Sequence, residues 1–182
     1  QMGGSASLLV PERPSRGVDE LLAASLIGRL VDRLVPTPTD LLQAMLDPDL
    51  RFVARCLKHA CFDRVATLCF LARRIQGEIP RAEPVDSIAY TPAVHDRFVR
   101  TLGLTYVGSL DCPALSGLRS DEAAFASHRQ AHAFDPGLWR LYTDDSGADV
   151  AIALVNPTAD EQGFEIAYLG VIPDARGRAL GY

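Results

Sequence analysis

Near the end of the 182-residue chain, Arg176, Gly177, Arg178, Ala179, Leu180 and Gly181 follow a run of strand-forming residues. Glycines let a backbone come within contact distance of a ligand, and two guanidinium groups supply positive charge. Where a strand feeds a helix through such a loop, the first helical turn offers unpaired N–H groups at the positive end of the helix dipole. That arrangement suits a phosphate or pyrophosphate. The chemistry this spacing points to is anion binding, with a solvated turn as the alternative the bare pattern leaves open.

Other residue types that can do chemistry are weaker signals. His128 and His132 stand four apart on an expected helix, a spacing that can chelate a metal, but no third ligand lies nearby in sequence, so no metal site is expected. Cys112 precedes Pro113 without a histidine beside it in sequence and reads as a packed thiol. His59 and His95 read as ordinary helix residues. Trp139 and Phe134 read as core.

The elements that must position the loop can be traced from the pattern. Phe164–Val171 has the β-branched and aromatic content of a strand, and Ile172, Pro173 and Asp174 break it before the Gly/Arg run. Upstream, residues 138–143 and 150–155 predict two strands joined by Asp144, Asp145, Ser146 and Gly147, a hairpin turn. Residues 156–163 make a longer connection into the final strand. Residues 85–90 predict a strand, and Thr91-Pro92 a cap for a helix carrying Val94, Phe98, Val99, Leu102 and Tyr106 at 3–4 spacing. An ordered loop over 108–119 follows, then a helix opened by Ser120 and running to about His132.

The first part of the chain predicts the end of a strand at 7–10, a breaker-rich loop, and a helix marked by Leu21, Leu22, Leu26, Leu30 and Leu34. A strand over 39–46 comes next, then Asp47 and Pro48 as the opening of a helix over 50–60 with Phe52, Val53, Cys56 and Leu57 buried, and a strand over 62–73. The fold class expected is α/β with a mixed, largely antiparallel sheet. Residues 1–76 and 85–182 form its two parts, with 77–84 as a linker.

Composition narrows the function classes. With 48% hydrophobic residues there is ample core material, and a net charge of −5 without a Lys/Arg cluster argues against a nucleic-acid partner. The apolar runs are too short for a membrane span, and residues 1–5 lack a signal-peptide plan, so a cytoplasmic protein is expected. Four cysteines without a C-x-x-C pair point to free thiols. Gln1 in place of an initiator Met, and an end at Tyr182, read as a fragment of a longer chain.

Residues 171–181, VIPDARGRALG, resemble the acyl-CoA-binding motif of the GNAT acetyltransferase superfamily, V-x-P-x-x-R-G-x-G-x-G, departing from it at Ala179. The order of strand, two helices and three antiparallel strands over 85–182 is similar to the N-terminal half of a GNAT domain. Val10-Pro11 and residues 17–22, GVDELL, resemble a worn copy of the same motif, with Pro14 and Asp19 at motif positions. Asp19 would set a carboxylate beside a pyrophosphate, so this first half-domain is expected to be structural. Residues 110–119 and 134–139 resemble the mycothiol-synthase type of bacterial family with two GNAT domains in tandem.

The resemblance implies acetyl transfer from acetyl-CoA to a small amine by direct attack, without a covalent enzyme intermediate or a metal. It implies that the backbone of Leu169, Gly170 and Val171 holds the pantetheine on a bulged strand, and that Arg176 through Gly181 hold the pyrophosphate. Glu165, the only carboxylate on the final strand, is the expected base. Tyr168 lies three residues on, so strict alternation places it on the opposite face unless a bulge intervenes. Two competing readings are a non-catalytic acyl-CoA-binding module and an unrelated phosphate-binding α/β protein, whose last strand would be straight and parallel to its neighbours.

Overall fold

The computed structural model describes residues 4–10, 17–37, 39–77, 85–111, 113–115, 117–130, 133–158, 160, 162–178 and 180. The chain is mixed α/β and divides into two compact units, Gln1–Ala66 with Gly117–Ala123, and Thr67–Ser116 with Ala124–Tyr182.

In the first unit, strands β1 (Gly4–Ser7) and β2 (Thr39–Gln43) pair in parallel. Parallel neighbours need a crossover, and helix α1 (Glu20–Leu34) supplies it. Asp19 caps α1 by accepting a hydrogen bond from the Leu21 N–H at 3.2 Å. Helix α2 (Arg51–His59) buries Val53, Cys56 and Leu57, a 3–4 spaced stripe, while Ala24 is buried on α1. Arg55 reaches from α2 to Glu20 on α1, its Nε donating at 2.7 Å. Leu21, Leu22, Leu26 and Leu30 stay exposed. Asp47 does not cap α2 as expected: its carboxylate turns back to the Asp49 N–H at 2.9 Å, and Leu50 at the cap position makes no side-chain bond.

The strand expected over 62–73 is not formed. Residues 63–77 are exposed and belong to no helix or strand. Their β-branched and aromatic residues suit a half-buried sheet position, but propensity without a paired neighbour and a covered face does not make a strand.

The second unit holds an antiparallel sheet in the order β3-β4-β5-β6. Its strands are β3 (Ser87–Ala89), β4 (Arg140–Thr143), β5 (Asp149–Pro157) and β6 (Phe164–Val171). Helices α3 (His95–Tyr106) and α4 (Asp121–Gln130) lie between β3 and β4 in sequence. A 3-10 turn, Pro92–Val94, leads into α3, and Thr91 makes no side-chain cap bond, contrary to expectation. Ser120 does open α4, its Oγ accepting from the Ala123 N–H at 3.1 Å.

One face of β5 carries Ile152, Leu154 and Asn156, all fully buried, and packs with Phe98 and Leu102 of α3, Phe125 of α4, Trp139 and Leu141. Aromatic rings dominate this core: Trp139 meets Phe134 and Phe125 edge-on at centroid separations of 4.8 and 5.1 Å. The Trp139 indole N–H donates to Asn156 Oδ1 at 2.8 Å. Trp139 and Phe134 are therefore core, as their residue types suggest. A forked ion pair fastens α3 to the start of β5: Arg97 donates from Nε and Nη2 to the two carboxylate oxygens of Asp149, at 3.1 and 2.6 Å. The β4–β5 turn is tied by Asp144, which accepts from Ser146 N, Ser146 Oγ and Ala148 N, with Gly147 at φ 80°. No helix among the described residues is long and apolar enough to cross a membrane.

Candidate active site

Strand β6 is an edge strand among the described residues, and it carries a bulge. Tyr168 lies opposite Leu154 and Ile166 opposite Val155, so Ala167 has no partner on β5. The extra residue resets the alternation. Glu165, opposite Asn156, and Tyr168, opposite Leu154, now share the face that turns toward α3. Strict alternation had separated them.

The hydrogen-bond parity of β6 fixes which backbone groups are open. Ile172 N donates to Val150 O at 3.0 Å, continuing the ladder one residue past β6. Counting back by two, Gly170 directs its N–H and C=O at β5, whereas Leu169 and Val171 direct theirs away from it, toward the open edge. The Val171 carbonyl is already used, accepting from Arg176 Nε at 3.1 Å. Among the described residues, the Leu169 backbone and the Val171 N–H meet no hydrogen-bond partner.

Gly170 is required by packing. A Cβ at this position would fall 2.7 Å from both Thr105 Cβ and the Tyr168 ring, so its absence is what lets the end of α3 sit against β6. On the α3 side, the Thr105 hydroxyl donates back to the Leu102 carbonyl at 2.7 Å and lies 2.8 Å from the Tyr168 hydroxyl.

Between these elements lies a cleft of about 400 Å³. Thr105, Gly108 and Asp111 line it from α3 and the following loop, and Tyr168, Leu169 and Val171 line it from β6. Burial pushes the Tyr168 phenol above its ordinary pKa, and the Asp111 carboxylate adds to the rise.

Arg176 also lines the cleft, but most of its donors point into the protein. Besides Val171, its guanidinium bonds to the carbonyls of Thr105 at 2.9 Å, Val107 at 2.8 Å and Gly108 at 3.3 Å. These are the carbonyls that the end of α3 leaves without helical partners, and a cation there also meets the negative end of the helix dipole. Gly108, at φ 62°, supplies the left-handed turn that gathers them. Arg176 thus ties α3 to the end of β6.

After β6 a single 3-10 turn, Pro173–Ala175, uses the N–H groups of Ala175 and Arg176. Gly177 follows at φ 77°, and among the described residues no acceptor meets the N–H groups of Gly177 and Arg178. The Arg178 side chain folds back onto the Asp174 carbonyl at 2.8 Å. Leu180 is partly buried in a turn; Ala179 and Gly181 lie outside the described residues.

The remaining candidates show no metal or nucleophile arrangement among the described residues. His128 Nε2 lies 3.1 Å from the Tyr106 hydroxyl, with its ring beside Tyr168, and His132 and Cys112 lie outside the described residues. No group of three His, Cys, Asp or Glu that could hold a metal occurs among the described residues. Cys56 is buried, which pushes its thiol pKa up, and Cys61 and Cys69 are free and exposed. Thr105 and Asp111 carried no signal in the sequence, because each acts here only through a fold-made neighbour.

No family model matches the chain, and no curated protein sequence matches it.

Proposed function

We propose that the chain is part of a GNAT-type N-acetyltransferase that moves an acetyl group from acetyl-CoA to a small amine. Residues 1–76 are the second half of a degenerate GNAT-like domain, 77–84 a linker, and 85–182 the first half of a second domain, in the tandem arrangement of mycothiol synthase. The observation that carries the reading is β6: an antiparallel, bulged edge strand whose Leu169 and Val171 backbone faces outward beside a cleft. An unrelated phosphate-binding protein called instead for a straight strand parallel to its neighbours.

The pantetheine arm pairs with Leu169 and Val171 as an added strand would, at the one place where Gly170 keeps the cleft floor low. The pyrophosphate sits on the Gly177 and Arg178 amides, continued through Ala179, Leu180 and Gly181. Arg176 contributes charge and holds the loop in place. The amine nitrogen attacks the thioester carbonyl, the C–N bond forms and the C–S bond breaks. Glu165 takes one proton from the bound ammonium before attack, directly or through water, and the second proton that nitrogen sheds goes to the CoA sulfur, which leaves with its electron pair. No metal takes part.

The test is calorimetric titration with acetyl-CoA, followed by thiol release over a panel of small amines. Binding with turnover is expected. Absence of acetyl-CoA binding overturns the reading, and binding without turnover on any amine leaves a non-catalytic acyl-CoA module.

A further inference from the structure

The Thr105 hydroxyl has one proton, and it is given to the Leu102 carbonyl at 2.7 Å. The 2.8 Å contact between Thr105 and Tyr168 then runs in one direction only: Tyr168 donates and Thr105 accepts. With its proton committed, the Tyr168 oxygen has only lone pairs left, so a group bound against it must bring its own N–H or O–H. Around it lies one charge of each sign. The Asp111 carboxylate lines the same cleft, while Arg176, the lining cation, spends four of its five N–H donors on backbone carbonyls.

We infer that Tyr168 and Asp111 form the acceptor subsite, which takes the amine as a primary ammonium, with Tyr168 held as an obligate hydrogen-bond acceptor by Thr105. The inference rests on the acetyltransferase reading for the amine being a substrate, but the binding preference stands without it. A carboxylate or phosphate set between Tyr168 and Asp111 would meet an acceptor on each side chain. A quaternary ammonium would bring charge without a proton to share. Thr105 is a positioning residue, acting only through the direction it imposes on Tyr168.

The test compares n-butylammonium with n-butyltrimethylammonium, titrated separately against the protein by NMR, with acetyl-CoA binding measured in a separate cell. The primary ammonium should bind about tenfold more tightly, the scale of one hydrogen bond to a charged donor. Tyr168→Phe keeps the ring and its packing, and should bring the two affinities within about twofold of each other. Thr105→Val frees the phenol proton and should shrink the preference, whereas Thr105→Ser restores it. Equal binding of the two cations to the unaltered protein, or a preference unchanged in Tyr168→Phe, overturns the inference. A preference that behaves as expected in a protein that does not bind acetyl-CoA would leave this subsite standing and remove the acetyltransferase reading alone.

Discussion

Among the loops that carry a glycine at positive φ, those at Gly17, 81°, and Gly177, 77°, treat the backbone amides that follow in opposite ways. After Gly17, the carboxylate of Asp19 folds onto the Leu21 N–H, so the chain fills the start of α1 with its own anion. After Gly177, the N–H groups of Gly177 and Arg178 meet no acceptor among the described residues, and the side chains of Arg176 and Arg178 are anchored to carbonyls. A glycine in a loop is thus no sign of an anion site by itself. What decides is whether a neighbouring side chain has already taken the amides.

The largest expected effect comes from giving the second loop what the first already has. Gly177→Asp places a carboxylate beside open amides, and acetyl-CoA affinity should fall at least about 100-fold, or about 2.7 kcal/mol. Gly17→Asp, at the same backbone angle, should leave that affinity within about twofold, since the first loop offers nothing to lose. Parallel titrations decide the matter: equal losses in the two variants would end the distinction between the loops.

The second effect concerns what holds the open loop in shape. Arg176→Met removes four hydrogen bonds to carbonyls at the ends of α3 and β6, and should cost about 2 kcal/mol of stability in urea unfolding. Arg176→Lys should recover less than half of this, because a single ammonium cannot reach carbonyls spread around a planar fork. If Arg176→Met unfolded at the same midpoint as the parent, the guanidinium would be a ligand-binding group only.

These loops also mark how far the sequence could be read. Strand β6, α1, α2 and the β4–β5 hairpin were legible because each is set by local pattern: Phe164–Val171 by β-branched and aromatic content, the hairpin by Asp144 and Gly147. The strand expected over 62–73 failed because a strand depends on a neighbour that composition does not reveal. Glu165 and Tyr168 share a face only because Ala167 is an unpaired extra residue, and a bulge is settled by the register of the partner strand. The inward turn of Arg176 was equally hidden. Its partners, Thr105, Val107 and Gly108, come about seventy positions earlier in the chain.

A smaller effect tests the first loop as a piece of architecture. Asp19→Ala should lower stability by about 1 kcal/mol, the usual loss for a helix N-cap, and should not create acetyl-CoA binding. Freed amides alone lack the bulged edge strand beside the cleft. Acquisition of acetyl-CoA affinity by Asp19→Ala would mean that the cap was the only thing separating the two loops.

The smallest effect lies one residue further on. Glu20 receives hydrogen bonds and charge from Arg55, which hold its carboxyl below the ordinary value of 4.5. A carboxylate with a depressed folded-state pKa adds stability above that ordinary value and loses it as pH falls through the folded one. The contribution of Glu20 is therefore present at neutral pH and lost on acidification below about 4.5. Because the pair is solvent-exposed, the contribution is small and screened by salt. Urea midpoints for the parent and Glu20→Gln should differ slightly at neutral pH and low salt, and should converge at acid pH or in concentrated salt. A gap that persists under both conditions would mean that Glu20 supports α1 by packing and helix contacts, with its charge irrelevant to the first loop.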